Sequence, residues 1–276
     1  MWAFASGTKV PDPKQTLKVG VVLTAAAAGS ETSTATVISD EKTGLKRGAH
    51  HPANRPYFTI MNPEVTYSVP KFQTACGIWD SMMHAFERYF TATQGTPIAD
   101  RYTEGVVSSV IDAGYKVMNN LTDYNARATL MWGASMAHNN LNGCGRLKGS
   151  GIHLIEEELH AGNPRIVHGA GLAVVWPGWA RCVYKKAPMR LAQFANRVWG
   201  VRMDFEHPEN TALRGIELME SYRDFLELPK TLREIGITRE MFPEIVEHCT
   251  ANGRRVSQLC DITAEDVLAI LEYLEG

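Results

Sequence analysis

The rhythm of apolar and polar positions changes near residue 62. Before that point, short β-branched runs at 19–24, 35–38 and 57–60 predict three strands. Residues 40–44 (DEKTG) form a turn whose glycine tolerates positive φ. Residues 51–56 (HPANRP) are loop, because two prolines cannot donate to a ladder. Beyond Asn62 and Pro63 the period becomes helical. One segment starts at Pro70, a residue suited to a first turn. Over 78–91, apolar residues fall at 79, 82, 83, 86 and 90, which is helix spacing. The pattern repeats over 98–119 and 123–140, and a glycine-rich break follows at 143–151. Further helices are expected over 168–184, 189–198 and 208–226. A short one over 228–236 ends on Gly236, and another covers 238–252. The last opens at Thr263, where TAED reads as a capping box. The fold class is therefore mainly α, with a small strand-containing segment (1–62) ahead of an all-helical domain (63–276). Three strands in so short a stretch make a poor independent sheet and read as part of a larger α/β unit.

Composition narrows this picture without changing it. A chain of 276 residues that is 45% hydrophobic and 21% charged can build a substantial core and is not disordered. A net charge of -2 and the absence of a basic run argue against nucleic acid and anionic membrane as partners. Five cysteines, odd in number and far apart, give no disulfide framework and fit a reducing compartment. The start of the chain has no apolar core of signal-peptide length, and the apolar stretch at 19–28 is too short for a bilayer, so a cytoplasmic location is expected.

Asp80 and His84 stand four apart on a predicted helix, about 40° from each other around its axis. They lie beside the apolar stripe of Trp79, Met83, Phe86 and Phe90. A carboxylate and an imidazole so placed can grip one cation. A solvated face is the competing reading, since Glu87 and Thr91 share that side. His153 follows the glycine-rich break, and His168 opens the next helix across Asn163 and Pro164. Two histidines at the edges of adjacent helices can converge. With Asp80 and His84 they would form a set suited to zinc or ferrous iron. On spacing alone His160 serves as well as His153. The glycines of 143–151 follow a helix and not a strand, so a phosphate cradle fails its context.

Several segments together resemble the iron-containing alcohol dehydrogenases, most closely the butanol-dehydrogenase-like members. LTAAAAGSE at 23–31 is similar to their LTLAATGSE, and TVISDEKTGLKRG at 36–48 to the strand pair that follows. MNPEVTYSVP at 61–70 resembles DPELTYTLP. QTACGIWDSMMHAFERYF at 73–90 resembles the QTAxGxxDxxxHxxExY helix, and VHGAGLAVVWP at 167–177 the segment with the last ligand. The resemblance runs from Trp2 to the C-terminus.

It implies Asp80, His84, His153 and His168 as ligands of Fe2+ or Zn2+, with NAD or NADP as hydride carrier and a small alcohol or aldehyde as substrate. It implies Thr24, Gly29, Ser30 and Lys46 on the cofactor side, although Lys46 also reads as a solvated strand-end charge. Three departures stand out. No GGGS-type turn precedes 23–31, which suggests that most of the cofactor domain is missing and that 1–62 is its remnant. Ala28 stands where the family has a threonine. The interval from His153 to His168 is one residue longer than the family's, and Glu157 occupies a place where many members carry a further histidine. Glu157 is a candidate proton relay, or else part of an exposed acidic turn at 156–158. His50 and His51 are placed in a loop, His138 as a packed residue, His160 on the outer side of its helix, and His207 and His248 at the surface. An open sheet edge would favour homo-oligomers. A metal-binding or assembly module without catalysis is the alternative to an enzyme.

Overall fold

The computed structural model describes residues 2–5, 17–40 and 46–276. The turn expected at 40–44 lies largely outside them. Strand β1 (Gly20–Val22) pairs in parallel with β4 (Phe58–Ile60), and β2 (Ala35–Ser39) pairs antiparallel with β3 (Lys46–His50). The strands expected at 19–24, 35–38 and 57–60 are present, split between two two-stranded sheets. His50 closes β3, and so is not in the loop where the proline pattern placed it. The short helix α1 (Trp2–Ala5) packs against β2 and β3. Val22, Phe58 and Ile60 remain more than half exposed on the first ribbon.

Helix α2 (Lys71–Tyr89) is the axis of the helical body. It packs against α3 (Pro97–Asn119), α4 (Tyr124–His138), α5 (Gly151–Gly162) and α6 (His168–Lys186). From Thr74 to Tyr89 every residue of α2 is buried. One side is aromatic: Trp79 meets Trp176 edge-on at 6.3 Å, and Phe86 and Phe90 meet Phe194 of α7 (Pro188–Trp199). The other side is polar, with Asp80, Ser81, His84, Glu87 and Arg88 enclosed as well. Buried polar groups need partners. The solvated-face reading of Asp80 and His84 is therefore wrong: Glu87 is 5% exposed and Thr91 2%.

Helix α8 (Pro208–Phe225) packs on α7, and α9 (Phe242–Thr250) and α10 (Ala264–Leu274) close the body. Local signals set most ends. The Asp123 carboxylate accepts the Ala126 amide at 2.9 Å at the start of α4, and Thr263 with Asp266 forms the expected capping box of α10. Two expectations fail. The stretch 228–236 holds only a 3-10 turn, Arg233–Ile235, because the Leu232 amide donates to the Leu274 carbonyl of α10 instead of a helical partner. The helix expected at 238–252 begins only at Phe242, since Pro243 is compatible with a first turn and not with a helix interior.

Asp100, in the first turn of α3, ties three segments together. It accepts from both Arg190 terminal nitrogens (2.7 and 2.6 Å), from Arg146 (2.8 Å) and from Gln193 (3.0 Å). Burial pushes its carboxyl up, but the Arg190 and Gln193 hydrogen bonds and the charges of Arg190 and Arg146 outweigh burial and hold it below the usual range. A carboxyl whose folded pKa is depressed stabilises the fold above its unfolded pKa, and that contribution fades as pH falls through the folded value. Asp100→Asn is expected to cost about 3 kcal/mol near pH 7, with the gap to wild type shrinking under acid conditions. Urea midpoints of both proteins at neutral and acid pH test this, and a pH-independent gap would refute it.

Candidate metal centre

Four side chains from three helices meet on the polar side of α2. Asp80 and His84 lie one turn apart on α2, with His84 Nε2 3.3 Å from Asp80 Oδ1. His153, in the first turn of α5, brings its Nε2 to 3.8 Å from the same oxygen, and His168, the first residue of α6, brings its Nε2 to 3.6 Å. One ligand atom from each of Asp80, His84 and His153 lies within 4.8 Å of the others. Glycines permit the approach. A Cβ on Gly169 would sit 2.3 Å from the Cys76 carbonyl oxygen, so only glycine lets the start of α6 press onto α2. A Cβ on Gly77 would sit 2.1 Å from the Ala26 oxygen, so the 23–31 loop crosses α2 there. His160, equal to His153 on spacing, instead turns its Nδ1 to the Ile166 carbonyl at 3.3 Å.

The arrangement fits a cation. Asp80 Oδ1, His84 Nε2 and His153 Nε2 are buried without a hydrogen-bond partner among the described residues. Orphaned buried donor and acceptor atoms are costly. Burial holds His84 well below the ordinary histidine range, and the charges of His138, His153, Arg88 and His168 add to that, so its lone pair is free. His153 moves the other way. Burial lowers it, but the Asp80 and Glu87 carboxylates that its ring faces carry it to about 9. A buried site that keeps a proton to such a pH has surplus negative charge for a cation to neutralise.

The ring orientations are set from behind. His153 Nδ1 lies 3.2 Å from Glu87 Oε1, and His168 Nδ1 lies 2.5 Å from Glu156 Oε2. An Nδ1–H donated to a carboxylate turns Nε2 toward Asp80, the usual way of fixing a ligating histidine. Glu87 also accepts the amides of Gly151 (3.0 Å), Ile152 (2.8 Å) and His153 (3.0 Å), capping α5 from another helix. That settles the glycine-rich stretch: the α5 amides face an internal carboxylate, not a phosphate. Gly151 is required where its Cβ would lie 1.6 Å from the Val256 oxygen. Glu156 is fully buried and also receives Lys46 Nζ at 3.3 Å, so Lys46 is no solvated strand-end charge. Sequence reasoning gave Glu87 and Glu156 no role. Their spacing was the available signal: Glu87 is three residues after His84, and Glu156 three after His153.

A cavity of about 340 Å³ opens beside the centre, lined in part by His50, His84, Arg88, His138, His153 and Glu157. The His138 ring stacks on His84 at 4.0 Å, and its Nδ1 lies 2.6 Å from the Ala28 carbonyl, so it is packed and bonded as expected. The exposed acidic turn does not exist. Residues 156–158 lie within α5, with Glu158 buried against Arg254 and His248, while the His248 side chain itself stays about 35% exposed at the surface. Glu157 is partly buried, with Arg254 3.8 Å away, and burial raises its carboxyl. On the strand side, Gly29 takes φ +59 where a Cβ would meet the Ala134 carbonyl oxygen at 2.6 Å. Thr24 and Ser30 are exposed. The five cysteines are free thiols, and burial pushes Cys76 to about 12.

A helical body with this cluster at its axis is the architecture of a known family. Residues 74–274 match the Fe-containing alcohol dehydrogenase family, C-terminal, and residues 1–63 match iron-containing alcohol dehydrogenase. The chain is 35% identical to NADH-dependent butanol dehydrogenase A of Clostridium acetobutylicum, over 95% of this chain and 68% of that protein. It is 30% identical to the NADPH-dependent aldehyde reductase YqhD of Escherichia coli, over 91% of this chain and 65% of that protein. The crystal structure of NADH-dependent butanol dehydrogenase A from Thermotoga maritima superposes with a TM-score of 0.90 at 31% identity, covering 100% of this chain and 70% of that one. The protein belongs to the iron-containing alcohol dehydrogenase family.

Proposed function

We propose that this chain is a metal-dependent, NAD(P)-linked alcohol dehydrogenase that interconverts a primary alcohol and its aldehyde, with Asp80, His84, His153 and His168 holding one Fe2+ or Zn2+. The observation that carries the reading is the convergence of three unpartnered buried atoms, on Asp80, His84 and His153, with His168 Nε2 closing the set. Such a metal supplies Lewis acidity toward the substrate oxygen, and a nicotinamide exchanges the hydride. Asp80 contributes the set's negative charge, while Glu87 and Glu156 hold the His153 and His168 rings in the ligating tautomer. Glu157, one turn beyond His153 and lining the cavity, carries the proton exchanged with the alcohol oxygen. Thr24, Gly29, Ser30 and Lys46 belong to the cofactor side, in a strand segment (1–62) that works with the helical domain (63–276). Among the described residues no helix is long and apolar enough to cross a membrane, in keeping with a cytoplasmic enzyme.

The test is elemental analysis of the purified protein together with oxidation of 1-butanol and reduction of butanal, using each nicotinamide. About one iron or zinc per chain and chelator-sensitive turnover are expected. Absence of metal together with absence of turnover would sink the reading. The exposed Val22, Phe58 and Ile60 also support association into homo-oligomers. Light scattering during gel filtration should show more than one chain per particle, and a monomer at high concentration would refute this.

A further inference from the structure

Arg88 is a buried cation without a counter-ion. It is 6% exposed, yet no carboxylate lies within 4.0 Å of its guanidinium among the described residues. Its hydrogen bond is from Nη1 to the His84 carbonyl at 2.9 Å, and its Nε is buried with no partner. The neighbouring charges are committed elsewhere. Both oxygens of Glu87 serve the α5 amides and His153. Arg47 pairs with Glu158, and Arg254 pairs with Glu157 and Glu158. Arg88 lines the same cavity as His84, His153 and Glu157. Enclosing an unpaired guanidinium is expensive, and such a group is retained where an anion completes it. Burial lowers its pKa, and the charge of Glu87 offsets this only in part.

Its Nη1 bond to the His84 carbonyl folds the Arg88 side chain back along α2, so the guanidinium lies beside the turn that carries His84. We propose, building on the dehydrogenase reading above, that the cavity takes short aldehydes or alcohols with a carboxylate at the far end, and that Arg88 receives that carboxylate. The guanidinium donates to the carboxylate oxygens while the aldehyde end faces Asp80 and the three histidines. In the reduction, the aldehyde, NAD(P)H and one proton give the alcohol and NAD(P)+. The distal carboxylate takes no part.

Butanal and 4-oxobutanoate differ at the distal end and separate the alternatives. Wild type is expected to show a kcat/KM at least about tenfold higher for 4-oxobutanoate, and Arg88→Gln should bring the ratio near one. Equal values in wild type would overturn the proposal. If Arg88→Gln does not fold, the wild-type ratio alone decides. A second readout does not need turnover: butanoate should raise the Tm of wild type and not that of Arg88→Gln. A shift equal in both proteins, or absent from both, overturns the carboxylate site. Failure to turn over either aldehyde with either nicotinamide strikes the dehydrogenase reading instead, and the butanoate readout then decides the site.

Discussion

Asp80→Ala is expected to yield a folded protein that retains no stoichiometric metal and no dehydrogenase activity. Asp80 Oδ1 is the point on which the three imidazoles converge, at 3.3, 3.8 and 3.6 Å. It is also the carboxylate of the set. Its removal leaves three neutral nitrogens facing a divalent ion in a buried site, with no charge to offset the ion's desolvation. The loss should exceed the roughly 10–100-fold that follows removal of a group behind a ligand. The variant also removes one of the two carboxylates that hold a proton on His153, so that histidine should titrate below about 9 in metal-free protein. Elemental analysis after gel filtration, with NMR titration of the histidines, covers both expectations. Undiminished metal content in Asp80→Ala would remove the basis of the proposed centre.

Glu87→Gln should damage stability and metal affinity together. The carboxylate accepts three α5 amides and His153 Nδ1 on two oxygens. Glutamine keeps the shape but turns one acceptor into a donor that faces an amide of the same polarity. Loss of charge-assisted bonds at a buried helix start should cost about 2–3 kcal/mol. Without its anchor the His153 ring can take the other tautomer, and metal affinity should fall by roughly 10–100-fold. Urea unfolding reads the first effect, and competition with a chelator reads the second. A stability loss with unchanged affinity would show that Glu87 merely caps α5 and does not orient the ligand.

Much of this molecule is written in short-range pattern. Helix spacing, the proline-led starts and the Thr263–Asp266 capping box predict most of the helices, and the residues of the capping box bond as their chemistry requires. Pattern failed where a distant partner intervened, as at Leu232, whose amide is claimed by Leu274. It also failed on α2, whose polar side looked solvated. A helix enclosed by four others buries its polar residues too, and periodicity measures only the contrast between faces.

The candidate site divides along the same line. The placement of Asp80 and His84 on one face follows from the i, i+4 rule, which any helix obeys. That His153 and not His160 joins them, that His168 closes the set, and that Glu87 and Glu156 stand behind the rings are facts of packing. They depend on Gly149 and Gly169, where a Cβ would meet the Glu87 and Cys76 carbonyl oxygens of α2 at 2.8 and 2.3 Å. Local sequence determines the direction of a side chain from its own helix. Which directions meet is decided by how closely the helices approach, and that is a property of the tertiary structure alone.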